Sequence, residues 1–348
     1  MRRVLISLLV FVMIISVVGG CGNPGPSTPP SSGTNESGET YQKLKIKLST
    51  SGTDLGVDSL AAVKFAELVK EESDGNIEVT VFPNCQLSGG SMPMNVELLA
   101  QGGHYEMAVL SASVLSNLDE RFLSMSVPFT FANYEEVNEK LDGTGGEWLS
   151  RMLDSKGLVY LSGMHNGLKQ ITNSKREIRT PEDIRGLKIR IPGGEVGMMT
   201  FKAFGADPVA MSWSEVFTAL QQGTIDGHEN SYQTIDSANI YEVQKYLTEW
   251  NYSYDGYFFI ANKKFWDGLN DRTKVLLQDK AVEAAQWGRD YLEDGEENLK
   301  KKFKDAGMVI TELSPEELQA FIDVVKPVQE YFIDKFGEEA CSAWGLKK

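Results

Sequence analysis

The chain has 348 residues, with 49 acidic against 34 basic side chains and a formal net charge of −15. Its length suggests about two domains of roughly 150 residues each, and its composition, 41% hydrophobic and 24% charged, excludes collagen-like repeats and wholesale disorder. The acidic excess argues against a nucleic-acid partner, because phosphate contacts need clustered Lys and Arg.

The first twenty residues have the pattern of an export signal. Two arginines precede an apolar run over 4–18, which is shorter than the roughly 20 residues that span a bilayer. The residues VGGC at 18–21 resemble the lipobox of bacterial lipoproteins, whose cysteine is acylated and becomes the N-terminus. We therefore predict a signal peptide over 1–20 and a lipid anchor on Cys21. The alternative is an ordinary signal peptide followed by a chance cysteine.

The next segment, 21–42, is rich in Gly, Pro, Ser and Thr and has almost nothing to bury. We predict a disordered tether, which at this length would reach roughly 25 Å from a membrane surface.

Strand and helix patterns alternate from Leu44 onward. Apolar and lysine side chains alternate over 43–48, a helical stripe follows over 60–72, and a second alternation occupies 77–81. This strand–helix–strand order predicts a parallel sheet with a right-handed crossover.

A second α/β unit follows with clearer boundaries. A short helix should start after Thr180, with strands at 187–191 and 208–211 and a helix between them. The sequence SWSE at 212–215 predicts a capping box that opens a further helix. Two such units suggest two lobes with a ligand crevice between them.

The longest regular segment runs over 271–306 and contains no proline. As one helix it would span roughly 50 Å and could brace both lobes; the alternative is two helices broken near Gly288 or Gly295. A capping box at Ser314 opens another helix.

Enzyme and metal signatures are missing from the sequence. The three histidines are far apart, and no HExxH, CxxC, GxSxG or Walker motif is present. We therefore predict no enzymatic activity, metal or cofactor. Cys85 and Cys341 could form a disulfide outside the cytoplasm, or could be two separate small apolar residues.

Three side chains are candidates for ligand contacts. Arg190 ends a strand and could hold a carboxylate through two parallel hydrogen bonds, although a solvent-facing position is the alternative. Trp213, at a helix start, could cover a ligand or belong to the core. The amide of Asn230, in DGHEN, could bind a ligand oxygen.

The segments that carry these residues resemble a known family. TPEDIRGLKIRIP, FGADPVAMSWSEVFTALQQGTIDGHEN and YEVQKYLT, with VTVFPNCQL and MSVPFTFANYEE upstream, are similar to solute-binding proteins of tripartite ATP-independent periplasmic (TRAP) transporters, of the dicarboxylate-binding (DctP) type. The resemblance covers Leu44 to about Gly337.

The resemblance implies an α/β periplasmic binding protein of type II-like form, with two lobes, hinge strands and a long bracing helix. Lobe I would comprise 43–166 and about 256–295. Lobe II would comprise 167–255 and about 296–345.

The resemblance also implies roles for individual residues. Arg190 would clamp the ligand carboxylate, with Asn230 and Trp213 beside it. Lys169 stands where the family has a second arginine, which keeps the charge but loses the bidentate fork. The further expected ligand contacts are Thr50, Asp54, Ser111, Tyr252, Tyr254 and Asp255.

The sequence thus predicts an extracytoplasmic, lipid-anchored protein that captures a small organic acid and delivers it to a TRAP permease. The alternatives are a secreted hydrolase that uses carboxylates in the same cleft, and an ABC-type solute-binding protein. The sequence leaves open which acid is bound, the oligomeric state and the effect of Lys169.

Overall fold

The computed structural model of the protein describes residues 40–347. The predicted signal peptide, Cys21 and most of the predicted tether lie outside these residues. Within the described residues, no helix combines the length and apolar character needed to cross a membrane.

The described chain contains two β-sheets. Sheet I has the strand order β2-β1-β3-β10-β4, and sheet II the order β11-β9-β5-β8-β6-β7. The strands of sheet I are β1 (Leu44–Thr50), β2 (Ile77–Phe82), β3 (Met107–Ser111), β4 (Leu158–Leu168) and β10 (Tyr254–Asn262). The strands of sheet II are β5 (Gln170–Asn173), β6 (Lys188–Ile191), β7 (Asp207–Ala210), β8 (Gly227–Asn230), β9 (Tyr246–Glu249) and β11 (Val309–Glu312).

Helices cover both sheets. They are α1 (Val57–Glu72), α2 (Met92–Gln101), α3 (Ala112–Leu115), α4 (Tyr134–Leu141), α5 (Thr144–Asp154), α6 (Pro181–Ile184), α7 (Glu195–Ala203), α8 (Trp213–Gln221), α9 (Tyr232–Ser237), α10 (Lys263–Asp267), α11 (Asp271–Asp305) and α12 (Pro315–Ala343). Short 3₁₀ turns occupy Gln86–Ser88, Glu120–Ser126 and Ile240–Glu242. α12 contains a kink at Gly337, whose φ of 82° lies in the left-handed region that favours glycine.

Both sheets mix parallel and antiparallel pairs. In sheet I, β1 is parallel to β2 and β3, and β10 is antiparallel to β3 and β4. In sheet II, β6 is parallel to β7 and β8, and β5 is antiparallel to β8 and β9. The predicted parallel unit around α1 is therefore confirmed, as are the two strands that follow Thr180. We refer to the parts of the molecule built on the two sheets as lobe I and lobe II.

Besides α11, the chain connects the lobes through two adjacent segments between strands. β4 leads into β5 through Lys169, and β9 leads into β10 through residues 250–253. The two crossings are hydrogen-bonded, since Lys169 N–H donates to Ser253 O (2.9 Å) and Tyr252 N–H donates to Lys169 O (3.3 Å). These paired segments lie where the hinge strands are predicted, and they place Lys169 between the lobes.

The long segment is one helix. α11 has 35 residues and runs without a break through Gly288 and Gly295, so the alternative of two helices is wrong. Its first two thirds pack on the core of lobe I with Leu277 and Leu292, while Phe303 packs in the core of lobe II and stacks on Tyr232 at 5.8 Å between ring centroids. The helix therefore braces both lobes.

Two local predictions have clear outcomes. The capping box at Ser212 is wrong, because its side chain caps nothing and Glu215 N–H bonds to the Ser212 carbonyl instead (3.2 Å). Cys85 and Cys341 are both buried and free, which favours the interpretation as separate small apolar residues.

Gly288 and Gly295 form a matched pair for a test of packing within α11. A Cβ at Gly288 would lie 2.6 Å from Sδ of the buried Met164, whereas a Cβ at Gly295 meets no described heavy atom within 4 Å. Gly295→Ala should raise the free energy of unfolding by up to about 1 kcal/mol, because alanine favours a helix more than glycine does. Overpacking at position 288 should make Gly288→Ala about 1–3 kcal/mol less stable than Gly295→Ala in denaturant unfolding. Equal free energies of unfolding would contradict this close approach.

Candidate functional site

A cleft lies between the two lobes, where strand ends of both sheets meet. It encloses a small cavity of about 30 Å³. Its lining from lobe I and the crossings is Ser51, Gly52, Met92, Ser111, Ser113, Asn166, Lys169, Asp255 and Tyr257. Its lining from lobe II is Arg190, Pro192, Trp213, Asn230 and Thr234. The structure thus brings together Arg190, Trp213, Asn230, Lys169, Ser111 and Asp255 from the predicted set.

Arg190 is buried at the end of β6, with 2% of its surface exposed. Its Nε and Nη2 both donate to the Met211 carbonyl, at 3.0 and 2.7 Å, which fixes the plane of the guanidinium. Burial lowers the pKa of Arg190 to about 10, so it stays protonated at neutral pH. The alternative of a solvent-facing strand residue is therefore wrong.

Trp213 covers Arg190 from the start of α8. The Arg190 guanidinium carbon lies 5.4 Å from the centre of the Trp213 ring, a cation–π distance. His228 lies on the same ring at 5.8 Å between centroids. Burial, together with Arg190 and Lys169, lowers the pKa of His228 to about 3, so this histidine is neutral and adds no charge to the cleft.

Lys169 is surrounded by carboxylates. Its Nζ lies 3.1 and 3.3 Å from the two oxygens of Glu229 and 3.5 Å from Asp255 Oδ2. All three side chains are almost fully buried. A buried ammonium needs such partners, because a charge without them would cost several kcal/mol.

Asp255 is the centre of a hydrogen-bond network that joins the lobes. It accepts hydrogen bonds from the Ser113 hydroxyl and from Asn166 Nδ2, the latter at 3.2 Å. Asn166 Oδ1 in turn accepts from the Thr234 hydroxyl in lobe II, at 3.2 Å. The network fixes the Asn166 amide, so that its orientation is set before any ligand arrives.

Glu229 was missing from the sequence-based set of contacts. It sits in β8 beside Asn230, with 1% of its surface exposed. Burial raises the pKa of Glu229, and Lys169 and Arg190 oppose that rise. Its position in DGHEN between His228 and Asn230 was the available signal, since a charged residue inside a short strand is seldom buried without a partner.

A second carboxylate that the sequence did not identify supports the loop after β1. Asp58 Oδ2 accepts from the backbone N–H groups of Ser51 and Gly52, at 3.1 and 2.7 Å. A Cβ at Gly52 would lie 2.4 Å from Asp58 Oδ1, so only glycine fits this turn. Burial raises the pKa of Asp58 to about 6, against the lowering effect of the backbone donors.

Four expected contacts lie outside the lining of this cavity. The Thr50 hydroxyl is 2.6 Å from that of Ser59 within lobe I, and Asp54 is exposed. Tyr254 points to the opposite face of β10 from Asp255, as strand alternation requires, and its hydroxyl lies 3.0 Å from His165 Nδ1. Tyr252 lines a small neighbouring cavity together with Lys169 and Glu229.

The side chains of the cleft can bind a ligand through hydrogen bonds and charge. No group of three or more His, Cys, Asp or Glu side chains within 40–347 is placed to hold a metal ion. One unpaired guanidinium, several hydroxyls and two side-chain amides are suited to holding an anionic, oxygen-rich molecule.

A family model described as "Bacterial extracellular solute-binding protein, family 7" (DctP) matches residues 48–335. The 2,3-diketo-L-gulonate-binding periplasmic protein YiaO of Escherichia coli (strain K12) is 31% identical over 294 residues, which cover 84% of this chain and 87% of that protein. The C4-dicarboxylate-binding protein DctB of Bacillus subtilis (strain 168) is 33% identical over 283 residues, with coverages of 80% and 79%.

Solved structures show the same similarity. The sugar acid binding protein DctPAm from Advenella mimigardefordensis, crystallised in complex with galactonate, is 32% identical and superposes with a TM-score of 0.83. The match covers 87% of this chain and 97% of that chain. The predicted α/β fold with two lobes is thereby confirmed.

The raised pKa of Asp58 predicts a specific pH dependence of stability. The folded state binds the Asp58 proton more tightly than the unfolded state, whose ordinary pKa is 3.8 against about 6 in the fold. The stability that this proton contributes is complete below pH 3.8 and is lost as the pH rises through about 6, a loss of about 3 kcal/mol. Asp58→Asn removes this titration. Denaturant unfolding of both proteins between about pH 4 and 7 should show wild type losing stability relative to the variant, and parallel curves would contradict the assignment.

Proposed function

The chain belongs to the bacterial extracellular solute-binding protein family 7, and on that basis we propose that it captures a small organic acid and delivers it to a TRAP-type permease. The observation that carries the proposal is Arg190. It is a buried, protonated guanidinium at the cleft, and no carboxylate oxygen of residues 40–347 lies within ion-pair distance of it. A buried cation without an ion-pair partner destabilises the fold unless a ligand anion compensates its charge.

The ligand carboxylate binds to the side of Arg190 that Met211 leaves free. Nε and Nη2 already donate to Met211 O, so Nη1 and the second hydrogen of Nη2 remain for the two carboxylate oxygens. Trp213 then lies against the carbon skeleton, and Asn230 offers an amide to a further oxygen.

Closure of the lobes about the two crossings completes the site. Several hydrogen bonds already join the lobes at the rim of the cleft. Gln233 in lobe II bonds to Val57 N–H (3.2 Å) and to Leu55 O (2.9 Å) in lobe I. The small cavity between these walls admits an organic acid only when the lobes separate. Small-angle scattering that gave the same dimensions with and without bound acid would contradict such a movement.

The relatives support a carboxylate as the shared recognition element. Their names specify 2,3-diketo-L-gulonate, C4-dicarboxylates and galactonate, which differ in length and hydroxylation but all carry a carboxylate. Binding of this kind without turnover distinguishes a carrier from a hydrolase, because a carrier releases its ligand chemically unchanged.

The proposal includes tethering to the membrane through Cys21, by way of the Gly/Pro/Ser-rich segment that follows it. Cys21→Ser should remove the acylation site and so release the protein from the membrane fraction of expressing cells. Cells that produce the wild-type chain, fractionated in parallel, provide the control. Equal membrane association of the two proteins would rule out the anchor.

Loss of Arg190 should abolish most of the affinity. A thermal-shift screen of organic acids identifies a ligand, because a molecule that binds only the folded state raises the melting temperature. Calorimetry with that acid should show Arg190→Ala weaker by roughly 2–5 kcal/mol, the range for removing one partner of a buried charge pair. Arg190→Lys should be intermediate, since it keeps the charge and loses the fork.

Arg185→Ala is the matched control, since Arg185 is exposed and pairs with Glu182 at the surface. It should bind like wild type. Unchanged affinity in Arg190→Ala, or no stabilisation of wild type by any acid, would overturn the proposed function.

A further inference from the structure

The two cations of the cleft differ in how far their charge is already matched. Lys169 contacts both Glu229 and Asp255, with Nζ–O distances between 3.1 and 3.5 Å. Two carboxylates therefore share one ammonium, so the charge of Lys169 is already compensated before a ligand enters the cleft. A ligand carboxylate that approached Lys169 would meet both of these anions.

Arg190 is in the opposite situation. Its direct contacts are the neutral Met211 carbonyl and the Trp213 ring. The charges of Glu229, Asp255 and Glu215 act on it only from beyond ion-pair distance. Arg190 therefore has hydrogen-bond donors and a charge free for an anion, whereas an anion near Lys169 meets a cation that two carboxylates already contact. This division of charge limits how many carboxylates a ligand can place in the cleft.

The other polar groups of the lining are neutral. They include the hydroxyls of Ser51 and Ser111 and the amides of Asn166 and Asn230. The amides can donate hydrogen bonds to hydroxyl and keto oxygens, and the hydroxyls can donate or accept. The buried carboxylates Asp255 and Glu229 only accept hydrogen bonds, and so match ligand hydroxyl groups. The half of the cleft that disfavours a second carboxylate is therefore well suited to hydroxyl groups.

The following inference rests on the proposed function. We propose that the cleft selects acids with one carboxylate and several hydroxyl or keto groups over the corresponding dicarboxylic acids. The single carboxylate binds to Arg190. The hydroxylated end of the molecule lies towards Lys169, Glu229 and Asp255. Like-charge repulsion from those two carboxylates weakens binding of the dicarboxylic acid.

Pairs of acids that differ at one terminal carbon test this selectivity. Galactonate and galactarate differ only by a CH₂OH group against a carboxylate, as do D-erythronate and meso-tartrate. For each acid that raises the melting temperature, calorimetry at one pH and ionic strength compares it with its counterpart of the other class. The monocarboxylate should bind about 100-fold tighter than the dicarboxylate. A dicarboxylate that binds as tightly or more tightly would overturn the inference while leaving the proposed function intact.

Substitution of the carboxylates tests the physical cause. Glu229→Gln removes one of the two anions that face Lys169, so the preference for the monocarboxylate should fall about tenfold. Asp255→Asn should act in the same direction and serves as the second variant if Glu229→Gln does not fold. Glu242→Gln makes the same chemical change at an exposed position and should keep the wild-type preference.

The possible outcomes distinguish a failure of the proposed selectivity from a failure of the proposed function. An unchanged preference in both cleft variants would overturn the role of Glu229 and Asp255 in selection. Failure of every acid to raise the melting temperature of wild type would overturn the proposed function, and this inference with it.

Discussion

The interaction on which the cleft depends is the compensation of charges that both lobes bury in one place. Lys169 lies on one crossing between the lobes, Asp255 at the start of the strand that follows the other, and Glu229 in sheet II. Taken singly, each charge would be costly to bury, and together they stabilise one another only while the crossings keep their register. The hydrogen bonds between the crossings therefore hold the charges in place as well as joining the lobes. Arg190 makes no direct ion pair with this group and contacts a carbonyl and an aromatic ring instead, which leaves its outer hydrogen-bond donors for an anion.

The net charge of the chain and the charge of its cleft act on different length scales. The total of −15 lies mainly on exposed side chains, which salt screens over a Debye length near 8 Å at physiological ionic strength. Inside the cleft, individual groups at 3–4 Å dominate, and water is largely excluded. An acidic protein can therefore present a local positive charge to an organic anion.

Much of the fold follows from local patterns, and much of the cleft does not. The strands around Ile46 and Ile189 alternate clearly, and the helix over 271–305 lacks proline, so their positions could be predicted from short stretches. Arg190 was recognisable from its place at the end of a predicted strand, and Asn230 from the DGHEN motif. Ser113 and Asn166 were not, since their roles arise from contacts between distant segments: Ser113 and Asp255 are 142 positions apart, and Asn166 and Asp255 are 89 apart. At Ser212 the SWSE pattern did not give a capping box, and the first backbone N–H of α8 bonds instead to Met92 Sδ (3.4 Å), a residue 121 positions away.

The continuity of α11 sets a mechanical condition on any movement of the lobes. This single helix of 35 residues packs in two cores. A long part of it contacts lobe I, and a short part around Phe303 contacts lobe II. A rotation about the crossings must bend this rod or let its short end slide past Tyr232. A rod that bends stores elastic energy that favours reopening of the lobes, whereas a rod whose end slides does not. Where the rod bends, the lifetime of a closed complex depends on the stiffness of a segment that does not line the cleft.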